Sequence, residues 1–151
     1  MIMNIRALAT LSLLAVPAYV IAADDAEQFN AQDYVNEEIE IATSAVDILE
    51  KITEENVDKM GVLADELNKR VRELNGKYWK NSKEIIEAQR DKKNQERYFE
   101  ILDRYEEAIE KAWQLQQNAK KPELEDVVDK VSGVCDALLP RRTAPIGAPA
   151  K

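Results

Sequence analysis

The chain has 151 residues, of which 29 are acidic and 21 basic, with no histidine and one cysteine. The missing histidine excludes histidine-based catalytic triads and the Glu-x-x-His di-iron sites of helical bundles. The formal net charge of -8 argues against nucleic acid as a partner of the whole chain. We therefore expect a protein that is not an enzyme and that has no cofactor and no metal site.

The first 23 residues have the three parts of a secretory signal peptide. Arg6 supplies the positive charge, residues 7–16 are apolar, and Pro17 precedes a small-residue cleavage site at 20–22. The apolar run is too short to cross a bilayer, which takes about 20 residues. The segment predicts cleavage near Asp24 and a periplasmic or secreted protein, with an uncleaved anchor as the alternative.

Residues 24–139 are predicted to form one all-α domain. No proline and only two glycines occur between positions 24 and 121, which favours long helices. Apolar residues recur at helical spacing in four segments, which begin near Val35, Val57, Tyr98 and Leu124. Met60, Tyr98, Phe99, Tyr105 and Trp113 are all assigned to the core by this spacing. Residues 140–151 contain three prolines and no periodicity, so they are predicted to be a disordered, basic tail.

Two arrangements of the four segments compete. The favoured one is an up-down-up-down antiparallel four-helix bundle with turns near 53–56 and 91–94, because this register sets apolar residues against apolar residues, including Val71 against Leu115. It requires Gly76 to lie inside a helix, at a cost of about 1 kcal/mol relative to alanine. The alternative is a long antiparallel helical hairpin that turns at Asn75-Gly76, with a packed C-terminal helix. Both arrangements bring residues 76–97 to one end of the molecule, where the bundle would project beyond the first helix.

Two further features are interpreted as structural. The acidic pairs Glu37-Glu38 and Glu106-Glu107 are expected on a solvated face, since neighbouring residues diverge on a helix and no calcium-loop spacing is present. Cys135 lies beside the last apolar stripe, so a buried and inert thiol is expected. The alternative for this odd cysteine is a disulfide between two chains.

The charge is segregated along the chain. Residues 70–97 hold nine basic and five acidic residues, whereas residues 24–69 hold three basic and 14 acidic ones. Trp79 lies one position, about 100 degrees, from the apolar stripe that includes Tyr78. An exposed tryptophan among cations is typical of a contact surface. The predicted partner-binding residues are Lys77, Trp79, Lys80, Lys83, Arg90, Lys92 and Lys93. In the alternative interpretation, Trp79 packs against residues 29–34 and the lysines only solubilise the protein.

The sequence therefore predicts an exported, non-enzymatic interaction protein that binds a protein or an anionic envelope partner through its basic, aromatic end. No integral membrane segment is expected after cleavage. The alternatives are a small-molecule or ion carrier with a site inside the bundle, or a holdase-type chaperone. Buried polar residues that face a cavity would favour the carrier, and a filled core together with an exposed Trp79 would favour the interaction protein.

Overall fold

The computed structural model describes residues 29–140, so the predicted signal peptide and all of the predicted tail except Pro140 lie outside it. Four α-helices make up this part of the chain, and it contains no strand. The helices are α1 (Ala31–Lys51), α2 (Val57–Arg90), α3 (Lys92–Asn118) and α4 (Glu123–Leu138). The predicted all-α, antiparallel four-helix bundle is confirmed.

The chain turns at the two places where turns were predicted. Asn56 closes the first turn with its side chain, which accepts from Thr53 N at 2.8 Å and donates to the Lys51 carbonyl at 2.8 Å. Asp91 alone separates α2 from α3, and its carboxylate accepts from Lys93 N at 3.0 Å. Gly76 lies inside α2, so the alternative hairpin that turns at this residue is wrong.

Cross-helix contacts fix the direction of each helix. Tyr34 and Tyr78 lie side by side, as do Glu40 and Arg70, so α1 and α2 run antiparallel. Asp65 on α2 pairs with Lys130 on α4 at 3.0 Å. Gly61, one turn before Asp65, faces Val127, so α2 and α4 run parallel.

The most apolar helices occupy the centre, and this arrangement corrects one detail of the sequence prediction. Ten of the 21 residues of α1 and seven of the 16 residues of α4 are buried, compared with six of 34 in α2 and seven of 27 in α3. A helix that is apolar over a wide arc has to be covered on several sides. Accordingly, α1 packs against all three other helices, and α2 and α3 have few contacts with each other. The expected pairing of the α2 and α3 stripes, with Val71 against Leu115, is therefore wrong.

A kink in α2 sets the shape of one end of the bundle. Asn81 has φ −131° and ψ 22°, outside the helical region. A straight helix would carry Gln89 about 16 Å beyond the level of Tyr78. Gln89 instead donates a hydrogen bond of 2.9 Å to Glu38 on α1. Residues 82–90 therefore fold back across the end of α1, and the predicted projection beyond the first helix is wrong.

The predicted core is largely confirmed, with two aromatic exceptions. The α1 stripe is buried throughout, and Cys135 is buried at the expected place on α4. Phe99 and Trp113 are 47% and 51% exposed, so their assignment to the core is wrong. Each lies next to an apolar position of α3, on the outer side of the helix that α1 leaves uncovered. None of the four helices has the length and apolar character needed to cross a membrane.

Candidate functional site: a basic pole and an aromatic cleft

The seven predicted partner-binding residues lie together at the end of the bundle where α1 begins. This end is called the basic pole and comprises residues 76–97 with the first turns of α1. Asn94 donates to Gln32 at 2.9 Å and Tyr78 contacts Tyr34, which places both sides of the α2–α3 turn beside the start of α1. All seven side chains are exposed to solvent.

The cations of the basic pole differ in whether they are neutralised. Lys77 pairs with Glu37 at 3.5 Å, and Lys92 has a long contact of 3.9 Å with Glu96 on its own helix. The other four cations among the seven predicted residues have no ion pair within residues 29–140; they are Lys80, Lys83, Arg90 and Lys93. Their positive charge is available to a partner, which is the condition for attracting an anion.

Trp79 is 82% exposed and lies at the end of a row of aromatic rings. The centroids of Phe29 and Tyr34 are 6.5 Å apart, and those of Tyr34 and Tyr78 are 6.4 Å apart. Trp79 contacts only the last ring of this row, edge to face on Tyr78 at 5.7 Å. Tyr78 is thus the residue that packs against the N-terminal segment, so the alternative interpretation of a packed Trp79 does not hold.

An open cleft of about 550 Å³ lies beside Trp79. Its walls are built from the aromatic residues Tyr34, Tyr78, Tyr98 and Phe99, and the last residues of α4, including Leu138, border it. The kink at Asn81 helps to form it, since Gln89 from the folded-back segment also lines the cleft. A volume of this size is typical of small-molecule sites.

A buried carboxylate lines the cleft. Glu38 is 5% exposed, which corrects the expectation that the Glu37-Glu38 pair lies on a solvated face. Gln89 Nε2 donates to Glu38 Oε1 at 3.1 Å and to Oε2 at 2.9 Å. The Tyr98 hydroxyl donates to Oε2. No ion pair reaches this carboxylate from the residues that the structure describes.

Burial controls the ionisation of this group. It raises the pKa of Glu38 above the ordinary value of a glutamate, and the hydrogen bonds from Tyr98 and Gln89 oppose this rise because they favour the charged form. Burial and then the charge of Glu38 also raise the pKa of the Tyr98 hydroxyl, which therefore stays protonated as a donor.

Away from the cleft, burial raises the pKa of Cys135 to about 12, consistent with the expected inert thiol.

The sequence contains a signal for Glu38 that periodicity reveals. Tyr34, Ile41, Ala45 and Ile48 form a second stripe on α1, and all are buried. Position 38 completes the four-three alternation of this stripe between Tyr34 and Ile41. A charged residue in an otherwise apolar stripe marks a buried polar site. Asn94 follows the same rule, because it lies one turn before Tyr98 and is also buried.

Asn94 holds the folded-back segment in place. Its Nδ2 donates to the Ala88 carbonyl at 2.8 Å and to Gln32 Oε1 at 2.9 Å. Arg97 Nη1 donates to Asn36 Oδ1 at 2.8 Å nearby. These bonds join the end of α2 and the start of α3 to α1, so the cleft has a fixed wall on this side.

Comparisons of the chain with protein-family models, with curated proteins and with solved structures find no match. Within residues 29–140, no group of three or more His, Cys, Asp or Glu residues is arranged to hold a metal ion. The chemically distinctive features of residues 29–140 are thus the cations around Trp79 that have no ion pair within this range and the buried carboxylate in the cleft.

Proposed function

We propose that the protein is an exported, non-enzymatic interaction protein that binds an anionic partner, a protein or a component of the cell envelope, through the basic pole. The single observation that carries the proposal is Trp79, which is 82% exposed beside cations that have no ion pair in the described part of the chain. Exposed tryptophan and unpaired cations together supply apolar contact area and long-range attraction.

The two contributions act on different stages of binding. Lys80 and Lys83 follow Trp79 within about one helical turn, so their field would steer an acidic surface toward the indole. The indole would then lose its contact with water and slow dissociation. Export is supported by the sequence of residues 1–23, where a charged start, a short apolar run and a small-residue site follow one another.

Affinity capture from the native cell envelope, followed by binding kinetics with the purified partner, tests this function. Trp79→Ala is expected to weaken binding by about 2 kcal/mol or more if the indole is a hot spot. Trp113→Ala is the matched control, because Trp113 is also exposed but lies far along α3 from the basic pole. Equal losses in the two variants, or no loss in either, would refute the role of Trp79.

The electrostatic contribution has its own matched pair of variants. Reversing Lys80 and Lys83 to glutamate is expected to slow association and to flatten its salt dependence. Replacing Lys120 and Lys121 with glutamate changes the net charge by the same amount, but at the opposite end of the bundle. A similar slowing in both double variants would show that net charge, not the basic pole, attracts the partner.

A carrier with a site inside the bundle is the second candidate function. It is favoured by one observation, namely that Glu38 is buried and lines the cleft. Binding of an anionic partner at the exposed basic pole does not require a buried charge. The proposed interaction therefore does not explain why Glu38 is buried.

A further inference from the structure

The carboxylate of Glu38 is buried, and no cation from the described part of the chain pairs with it. A buried charge is costly unless it is paired and hydrogen-bonded. Its two donors, Gln89 and Tyr98, are neutral groups that supply hydrogen bonds but no positive charge. In residues 29–140 no lysine or arginine forms an ion pair with it. A cation that enters the cleft would complete this site.

The carboxylate also has acceptor capacity left. An ionised carboxylate accepts about four hydrogen bonds. Glu38 Oε2 receives the Tyr98 hydroxyl and the shorter contact from Gln89, whereas Oε1 has only the 3.1 Å contact with the same Gln89 nitrogen. Glu38 Oε1 can therefore accept a further hydrogen bond from a ligand in the cleft.

The walls of the cleft match a cation with an apolar body. Tyr34, Tyr78, Tyr98 and Phe99 give the cleft that Glu38 lines an aromatic wall, and Trp79 also borders it. Aromatic faces attract ammonium groups and stack on flat apolar groups. The volume of about 550 Å³ is sufficient for a small organic molecule.

We propose that this cleft binds a small organic amine whose ammonium group contacts Glu38 and whose aromatic or apolar body lies between the tyrosine rings. An acid of the same size is repelled by Glu38, and a neutral molecule gains only the contacts of its body. The proposal rests on the carrier candidate described above and does not depend on the anionic partner of the basic pole.

The first test compares three probes that share one body. The protein, purified from full-length expression, is titrated calorimetrically with 2-phenylethylamine, 2-phenylethanol and 3-phenylpropionate. The amine is expected to bind about tenfold or more tightly than the alcohol, since a charge-assisted hydrogen bond contributes at least this factor. The acid is expected to bind most weakly. Equal binding of the three probes, or no binding of the amine, overturns the proposal.

The second test locates the amine with a matched pair of variants. Glu38→Gln is expected to lower the affinity for 2-phenylethylamine about tenfold and to leave that for 2-phenylethanol unchanged. Glu37→Gln removes the same charge from the neighbouring residue, which does not line the cleft, and is expected to keep the preference for the amine. An equal loss in both variants would mean that general surface charge binds the amine. If Glu38→Gln fails to fold, the three-probe comparison on the unaltered protein still decides the proposal.

Tryptophan fluorescence tests independently where the amine binds. The chain has two tryptophans, so a Trp113→Phe variant leaves Trp79 as the only indole. Binding of 2-phenylethylamine is expected to change the emission of Trp79, because this residue borders the cleft. An unchanged emission at saturating amine would place the bound amine elsewhere. None of these measurements includes an anionic partner, so their failure leaves the proposal for the basic pole intact. Conversely, the affinity capture contains no amine, so its failure leaves the proposal for the cleft intact.

Discussion

The two ends of the bundle are built in different ways. At the end opposite the basic pole, Ile52, Val57 and Leu124 are buried, and the two turns meet where Lys120 N donates to the Glu54 carboxylate at 3.3 Å. Glu38 and Asn94, the two buried polar residues of the described chain, both lie at the other end, beside the cleft. One end is closed by apolar packing and the other is organised by polar contacts.

The two ends make different contributions, one mainly to the stability of the fold and the other mainly to a defined geometry. Apolar burial is non-directional and contributes in proportion to the area removed from water. Buried polar groups contribute less net free energy, but they fix a geometry because each donor needs a particular acceptor. We infer that the closed end carries more of the stability and that the polar end sets the shape of the cleft. The predictions below test this division, beginning with the largest expected effect.

The closed end should be the more sensitive to loss of apolar volume. Leu124 is fully buried at the start of α4. Leu124→Ala is expected to lower the free energy of unfolding by about 2–5 kcal/mol, through lost transfer free energy and the cavity that remains. Urea unfolding followed by circular dichroism measures the change.

The control for this prediction is Leu63→Ala on α2. Leu63 is an exposed large hydrophobic residue, so the same atoms are removed without a buried cavity. Its loss of stability should be well below that of Leu124→Ala. A change of less than about 1 kcal/mol at Leu124 would contradict a tightly packed closed end.

At the polar end, the expected cost of a single deletion is smaller. Tyr98→Phe removes the hydroxyl that donates to Glu38 and leaves the ring in the core. The expected loss is about 1.5–3 kcal/mol near neutral pH, the usual range for a hydrogen bond to a charged group. Tyr105→Phe is the matched control, since the Tyr105 hydroxyl lies 3.4 Å from Asp136 at a more exposed position.

The pH dependence of this loss has a defined sign. Burial raises the pKa of Glu38 in the folded state, so the folded protein binds this proton more readily than the unfolded chain. Protonation of Glu38 therefore favours folding, and this contribution is present at low pH and is lost as the pH rises through the folded-state pKa. Because Tyr98 stabilises the charged form, the cost of Tyr98→Phe should shrink as the pH falls through that range. A cost that is independent of pH would show that the hydroxyl acts on another group.

The fold could be predicted because its signals are periodic. Stripes at three and four residues gave the four helices, and Asn56 and Asp91 mark turns that polar side chains close. The exposed Trp79 follows from its 100-degree offset from the stripe. These features depend on local spacing, which a sequence displays directly.

The cleft depends on features that spacing does not display. The kink at Asn81 is not marked by proline, and it has one local hydrogen bond, from Asn81 Nδ2 to the Lys77 carbonyl at 3.1 Å. Its direction is set by the contact of Gln89 with Glu38, which are 51 residues apart. The central position of α1 and α4 is a property of all four helices together. Only the two buried polar residues had a readable signal, Glu38 as a charge inside an apolar stripe and Asn94 as a polar residue one turn before Tyr98.

The smallest expected effect concerns Gly76, and it tests whether this position of α2 is ordinary helix or strained backbone. Gly76 lies inside the helix, and a Cβ added there would meet nothing within 4 Å. Gly76→Ala is therefore expected to raise the free energy of unfolding by about 0.5–1 kcal/mol, because alanine loses less backbone entropy on folding. Gly61→Ala is the control, since its Cβ would lie 3.4 Å from Val127 and would have to fit against α4. Thermal unfolding of both variants measures the difference. A loss of stability in Gly76→Ala would mean that residues 76–81 need the conformational freedom of glycine to form the kink. The polar end of the bundle would then be held by backbone strain as well as by the hydrogen bonds of Glu38 and Asn94.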